Sequence, residues 1–162
     1  MKTKNWTYYL NEICTLIGSG MFILLTIICF MQIILRYAFS AAQDWPEEAT
    51  RFLFIWTAYL GMAYAMYANK HLKVDIIDLL ISKRMQSYME IVGQLVSLVF
   101  MWIIAWKGWG LIAVVIESEE VALTLPVPLY IVWFSIPFTF ALTGIYCLNN
   151  IRTVATGLKT ED

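Results

Sequence analysis

The sequence predicts an all-α integral membrane protein: four tilted transmembrane helices joined by interfacial amphipathic helices, with both termini on the cytoplasmic side. Three observations predict it. The 162 residues are 60% hydrophobic and 14% charged, whereas an ordinary soluble domain carries about 25% charged residues. Four runs are long and apolar enough to cross a hydrocarbon core of ~30 Å, which takes ~20 helical residues. Lysine and arginine are also divided unevenly among the connecting segments, the asymmetry that sets orientation in a bilayer.

The first span covers residues 13–35 and is interrupted by nothing more polar than Gln32. Lys2 and Lys4 precede it and Ser40 to Ala42 follow, as in a secretory signal. Its apolar stretch exceeds the ~7–15 residues of a signal, so it is expected to be retained. The second span, 48–69, becomes continuously apolar at Phe52. In the connection "KHLKVDIIDLLISKR", Leu72, Ile76, Leu79 and Leu80 recur at helical spacing, with His71, Asp75, Asp78 and Ser82 on another face. That pattern predicts an amphipathic helix at 71–84, lying on the cytoplasmic lipid surface or docked on the protein itself. Its bases suit anionic head groups, so lipids are expected partners.

The third span is 87–116. From Arg84 to Lys107 is ~34 Å of helix at ~1.5 Å per residue, which carries Lys107 to the outer interface. There it snorkels among Trp102, Trp106 and Trp109, the expected membrane-interface anchors. The remaining apolar residues 111–116 imply strong tilt or a covering protein partner. The fourth span, 129–149, contains Pro137, which frees a carbonyl near Trp133 and bends the helix. The N-terminus, the 70–84 connection and the C-terminus hold Lys2, Lys4, Lys70, Lys73, Lys83, Arg84, Arg152 and Lys159. The opposite side has Arg36 and Arg51, and its second loop carries Glu117, Glu119 and Glu120 with no base. Residues 1–162 are therefore expected to form one membrane domain with both termini in the cytoplasm.

Several functions lack their residues. A net charge of −1 gives no reason to expect nucleic acid. Cys14, Cys29 and Cys147 form no C-x-x-C pair, which argues against redox or zinc chemistry and for small buried hydrophobes. His71 is the only histidine, so two imidazoles for a haem are missing. No nucleophile with a base, phosphate loop or metal-ligand cluster occurs, so no catalytic, cofactor or metal residue is expected and the chain is not expected to be an enzyme. Secondary carriers use broken helices and polar groups near the bilayer midplane. Here Gln32, Gln94 and some Ser and Thr are all the spans offer, which favours an accessory subunit. The alternative is a self-contained four-helix exporter, for which Glu12 is the only candidate embedded acid. A membrane oxidoreductase would need paired cysteines.

The stretch "DWPEEATR" sets two acids at the edge of the second span. Asp44 and Glu47 fit a D-x-x-E helix start, Asp44 accepting from free amides and Glu47 reaching back. Pro46 suits the first turn, both glutamates suit the positive end of the helix dipole, and Arg51 lies within pairing distance of either. Intramembrane acids are functional candidates by default, but these precede the apolar run beside Trp45. They are expected to form a helix start and an intersubunit polar contact. Gly61 and Ala65 make a small-x-x-x-small pair that admits another helix.

The order Arg36-Tyr37, "DWPEEATRFLFIWTAYLGMAYA" and "HLKVDII" resembles the small membrane subunit of TRAP transporters, the DctQ-like family. The later "LTLPVPLYIVWFSIPF" resembles that family's fourth-span approach more loosely. The resemblance places its pattern on Arg36, Trp45, Glu47, Glu48, Arg51, Trp56, Gly61, His71 and Asp75 as candidate interface or structural residues. It implies four tilted helices in the bacterial inner membrane and a large multi-helix subunit that binds Na+ and moves the solute by an elevator motion. It also implies a periplasmic binding protein delivering an organic acid of C4-dicarboxylate or sialic acid type. The small subunit would extend the static scaffold, with Glu117, Glu119 and Glu120 as candidate docking residues for the binding protein.

Overall fold

Long uninterrupted runs of Leu, Ile, Phe, Met and Ala with few breakers make long helices. The computed structural model describes residues 6–40, 43–68 and 83–160. They form α1 (Trp6–Ala38), α2 (Trp45–Tyr67), α3 (Lys83–Glu117), α4 (Leu129–Trp133) and α5 (Ser135–Thr160). Residues 71–82 of the expected amphipathic helix, with His71 and Asp75, lie outside the described residues, and its last two positions, Lys83 and Arg84, begin α3. Among the described residues, three stretches are long and apolar enough to cross a membrane: Trp6–Ala38, Ile91–Glu117 and Leu129–Val154. The chain is thus a helical membrane protein. The 23 residues of α2 are long enough at ~1.5 Å each. Arg51, Trp56 and three tyrosines make its sequence less apolar than the others. At 33 and 35 residues, α1 and α3 measure ~50 Å, well beyond a ~30 Å core, so both tilt or project from it.

The bend expected from Pro137 is a break at Phe134, between α4 and α5. Proline has no N–H for the carbonyl of Trp133. The chain continues because Phe134 donates to the Tyr130 carbonyl (2.9 Å) and Phe138 to the Phe134 carbonyl (3.2 Å).

α1 packs on α2, α2 on α5, and α5 on α3. α5 is therefore an inner helix and α1 and α3 are edges: half of the most apolar part of 129–154 is buried, against 17% of the most apolar part of α1. Aromatic rings make the α2–α5 contact, with Trp56 on Phe134 and Phe138, Tyr59 on Phe140 and Tyr67 on Tyr146. Asn150 donates to the Met66 carbonyl at 2.9 Å, satisfying an orphan acceptor in the last turn of α2. The other helix pairs meet at small residues. On α5, Ser135, Thr139, Thr143 and Cys147 are fully buried at four-residue spacing, one slowly drifting face. The Cys147 thiol reaches the Gln94 carbonyl of α3 at 3.1 Å. Cys14 and Cys147 are buried and all three cysteines are free, as small hydrophobes should be.

Gly108 marks the closest approach of α3 to the broken helix. A Cβ there would stand 3.2 Å from both Ile136 Cγ2 and Pro137 Cδ, and 3.4 Å from the Pro137 backbone nitrogen. Replacing Gly108 with leucine should wedge the pair apart at a cost of ~1–3 kcal/mol, read as a lower unfolding temperature in detergent. Gly110→Leu, where a Cβ meets nothing within 4 Å, is the control.

Candidate functional site

The acids of "DWPEEATR" do something other than the expected cap. Asp44 occupies the N-cap position, but with helical backbone angles (φ −90°, ψ −27°) and no side-chain capping bond. A D-x-x-E cap requires an extended N-cap residue, which corrects the expectation. Pro46 fills the first turn and is buried. Glu47, instead of reaching back, pairs with Arg51 at 3.3 Å, both side chains exposed. Thr50 folds onto the carbonyls of Pro46 and Glu47, and Trp45 donates its indole N–H to Gln43.

Glu48 does not join Arg51. Its carboxylate crosses to the link between α3 and α4, 75 residues away. Oε1 accepts the Leu123 N–H at 3.0 Å. Oε2 accepts the Thr124 N–H (2.8 Å), the Thr124 hydroxyl and the Leu125 N–H (3.1 Å). The Thr124 hydroxyl, helped by the three backbone N–H groups, holds the Glu48 carboxyl below its ordinary pKa against the opposing effect of desolvation. Glu48 lies ahead of the apolar run that begins at Phe52. The first turn of α2, with its free N–H groups, also favours the ionised form.

The clamped link is itself ordered. Val121 and Pro128 form an antiparallel bridge, Ala122 donates to Val127 and Leu129 to Glu120, each at 3.0 Å. Glu119 has φ 50°, the left-handed turn residue that ends α3. Glu117, Glu119 and Glu120 are exposed beside it, and Leu123 at the tip is 97% exposed. The candidate docking acids thus sit on a braced loop.

A polar cleft of about 60 Å³ borders the other side of the motif, lined by Gln32, Arg36, Gln43, Asp44 and Glu47 among others. It brings Arg36 from the end of α1 beside the start of α2. Trp56 faces α5, whereas Gly61 is exposed and a Cβ on it would meet nothing within 4 Å. The Gly61/Ala65 pair therefore does not serve close packing within this chain; Gly18, with Leu60 Cβ 3.4 Å from its Cβ position, does that for α1 and α2. Trp102, Trp106, Lys107 and Trp109 are exposed on α3. Glu12 accepts from Tyr8 at 2.9 Å on an exposed part of α1. No group of three or more metal-ligating side chains occurs among the described residues.

Sequence reading missed the partners of Glu48. The only signal was indirect: "VALTLPVP" is too apolar and proline-rich to pair all its N–H groups locally, so those groups need an acceptor from elsewhere.

Comparison with known proteins agrees with the motif. A protein from Oleidesulfovibrio alaskensis, "Isethionate TRAP transporter permease protein DctMQ", is 29% identical over 139 residues, 82% of this chain but 22% of that protein. A Haemophilus influenzae "Putative TRAP transporter small permease protein" is 24% identical over 106 residues, 65% of this chain and 66% of that one. A "C4-dicarboxylate TRAP transporter small permease protein DctQ" from Vibrio cholerae is 25% identical over 86 residues, 53% of this chain and 37% of that one. The chain thus spans about a fifth of the first relative and just under two thirds of the second. The model of the family "Tripartite ATP-independent periplasmic transporters, DctQ component" matches residues 25–157, a stretch holding both ends of the Glu48 clamp, and the chain belongs to that family.

Proposed function

We propose that this chain is the small accessory membrane subunit of a sodium-coupled TRAP importer of an organic acid. It extends the static scaffold of a large elevator-type permease subunit, which itself binds Na+ and solute. The carrying observation is the family match over residues 25–157. The DctMQ relative supports a large partner, since the matched region is only 22% of that protein. Relatives are named for isethionate, sialic acid and C4-dicarboxylate, all organic acids, which supports a solute of that class.

In this reading α2 is a fourth span, making one four-helix domain in the bacterial inner membrane with both termini cytoplasmic. The braced loop with Glu117, Glu119 and Glu120 then faces the periplasm and helps receive the binding protein. Arg36, Trp45, Glu47, Glu48, Arg51 and Trp56 brace the chain at that end, His71 and Asp75 belong to its cytoplasmic side, and Gly61 offers its open face to a helix of the large subunit. Small residues are what let membrane helices approach closely.

Reconstitution tests the proposal. The chain alone in proteoliposomes should move no solute. With the large subunit, the binding protein and a Na+ gradient it should support uptake; transport by the chain alone would sink the idea. Gly61→Leu should reduce co-purification of the large subunit by about tenfold, the ~1–2 kcal/mol scale of a disturbed membrane helix contact, while leaving the chain helical. Unchanged recovery would remove Gly61 from the interface.

A further inference from the structure

We propose that the 123–125 turn is a carboxylate-binding site in its own right, which holds Glu48 in the resting chain and takes a small free organic carboxylate once Glu48 is withdrawn. Four donors from three consecutive residues converge on one carboxylate. The Leu123 N–H meets Oε1, and the Thr124 N–H, the Thr124 hydroxyl and the Leu125 N–H meet Oε2. Successive backbone N–H groups in a turn make an anion-binding concavity. A carboxylate is acceptor-only, with two oxygens and about four lone-pair sites, so this donor set suits it. All four donors are neutral; hydrogen-bond geometry, not a basic side chain, selects the anion.

Two observations separate the site from an ordinary side-chain contact. The turn is closed by bonds that do not involve Glu48: Val121 bridges Pro128, Ala122 donates to Val127 and Leu129 to Glu120 (3.0 Å each), and Val127 donates to the Leu125 carbonyl at 2.8 Å. These bonds hold both ends of the segment, so the donors stay gathered when the acid leaves. The site is also open to water. Leu123 and Thr124 are exposed and Glu48 is only partly buried, so a free anion reaches the turn without unfolding the chain. Glu117, Glu119 and Glu120, exposed on the same link, oppose a free anion by like charge. Tethering gives Glu48 an effective concentration on the order of millimolar or above, so it holds the site against dilute free acids. The site rests on the loop alone and stands whether or not the chain serves a transporter.

The test uses the full chain carrying Glu48→Ala, in detergent at neutral pH, with sodium acetate as the probe and amide exchange at Leu123, Thr124 and Leu125 as readout. Exchange quickened by the substitution should slow again by about tenfold as acetate fills the turn. The effect should saturate, with its midpoint on the order of millimolar, the range open to a ligand as small as acetate. Adding Thr124→Val should raise the acetate needed by about fivefold, for the loss of one hydrogen bond. The unaltered chain should not respond over the same range, because Glu48 already fills the site. Glu48→Gln keeps the side chain's size and serves if Glu48→Ala does not fold: acetate should displace its weaker amide and slow exchange. Exchange that acetate does not slow in the folded variant would overturn the proposal. So would an equal response to sodium chloride or sodium sulfate at matched ionic strength, which would make the turn a reader of salt and not of carboxylates. An equal acetate response in the unaltered chain would put the anion elsewhere, and would also overturn it.

Discussion

Replacing Glu48 with alanine should release the 123–125 segment. Three backbone N–H groups and one hydroxyl lose their shared acceptor at once, and the apolar sequence around them offers no substitute. Hydrogen bonds to an ionised acceptor are about twice as strong as neutral ones. Amide exchange at Leu123, Thr124 and Leu125 should therefore quicken by at least about tenfold, with the rest of α3 and α5 little changed. Glu48→Gln keeps one acceptor oxygen but turns an NH₂ toward donors, and should be intermediate. Glu47→Ala is the contrast, because an exposed i,i+4 pair contributes only ~0.3–0.5 kcal/mol. A depressed carboxyl pKa stabilises the ionised contact above the ordinary value near 4, and the contact is lost as pH falls through the depressed one. The clamp is thus intact at neutral pH. In the sodium-coupled assembly proposed above, uptake should fall in Glu48→Ala without any change in sodium dependence. Exchange at 123–125 that stays as slow as in the unaltered chain would show that the loop holds itself.

The second large effect is expected at Thr139, fully buried on the inner helix. Its hydroxyl has no hydrogen-bond partner, so size is what the position demands. Thr139→Val keeps the shape and should leave the unfolding temperature in detergent nearly unchanged, since a buried hydroxyl without a partner contributes no net stability. Thr139→Phe must push the neighbouring helix outward, at ~1–3 kcal/mol or more. Because α5 lies between α2 and α3, both contacts should loosen together, and the large subunit proposed as partner should no longer co-purify with the chain. Tolerance of phenylalanine, or destabilisation by valine as large, would refute a packing role.

The helices were legible because their cause is local. An apolar run such as Ile13 to Leu35 needs no distant partner to be helical in a membrane, where every backbone group must be satisfied internally. The break near Pro137 was legible for the same reason: a missing N–H acts on its own turn. The α5 stripe was not, because Ser135, Thr139, Thr143 and Cys147 look like ordinary span residues until a neighbouring helix covers them. Nor could spacing choose the partner of Glu48: Arg51 stood three residues away, yet the acid serves a loop 75 residues on.

The sequence by itself determined that this is a helical membrane chain, where its long helices run, and that its motif is that of a transporter's small membrane component. Apolar length, proline position and residue order are properties of single segments, which neighbours do not alter. Only the tertiary structure decided that α5 lies inside the row, that Gly108 rather than Gly61 carries a close approach, and that one glutamate of the pair is a clamp while the other is a surface ion pair. Those outcomes depend on which groups meet across the fold. A carboxylate goes to the unpaired donors that packing brings to it, and chain distance carries no information about that.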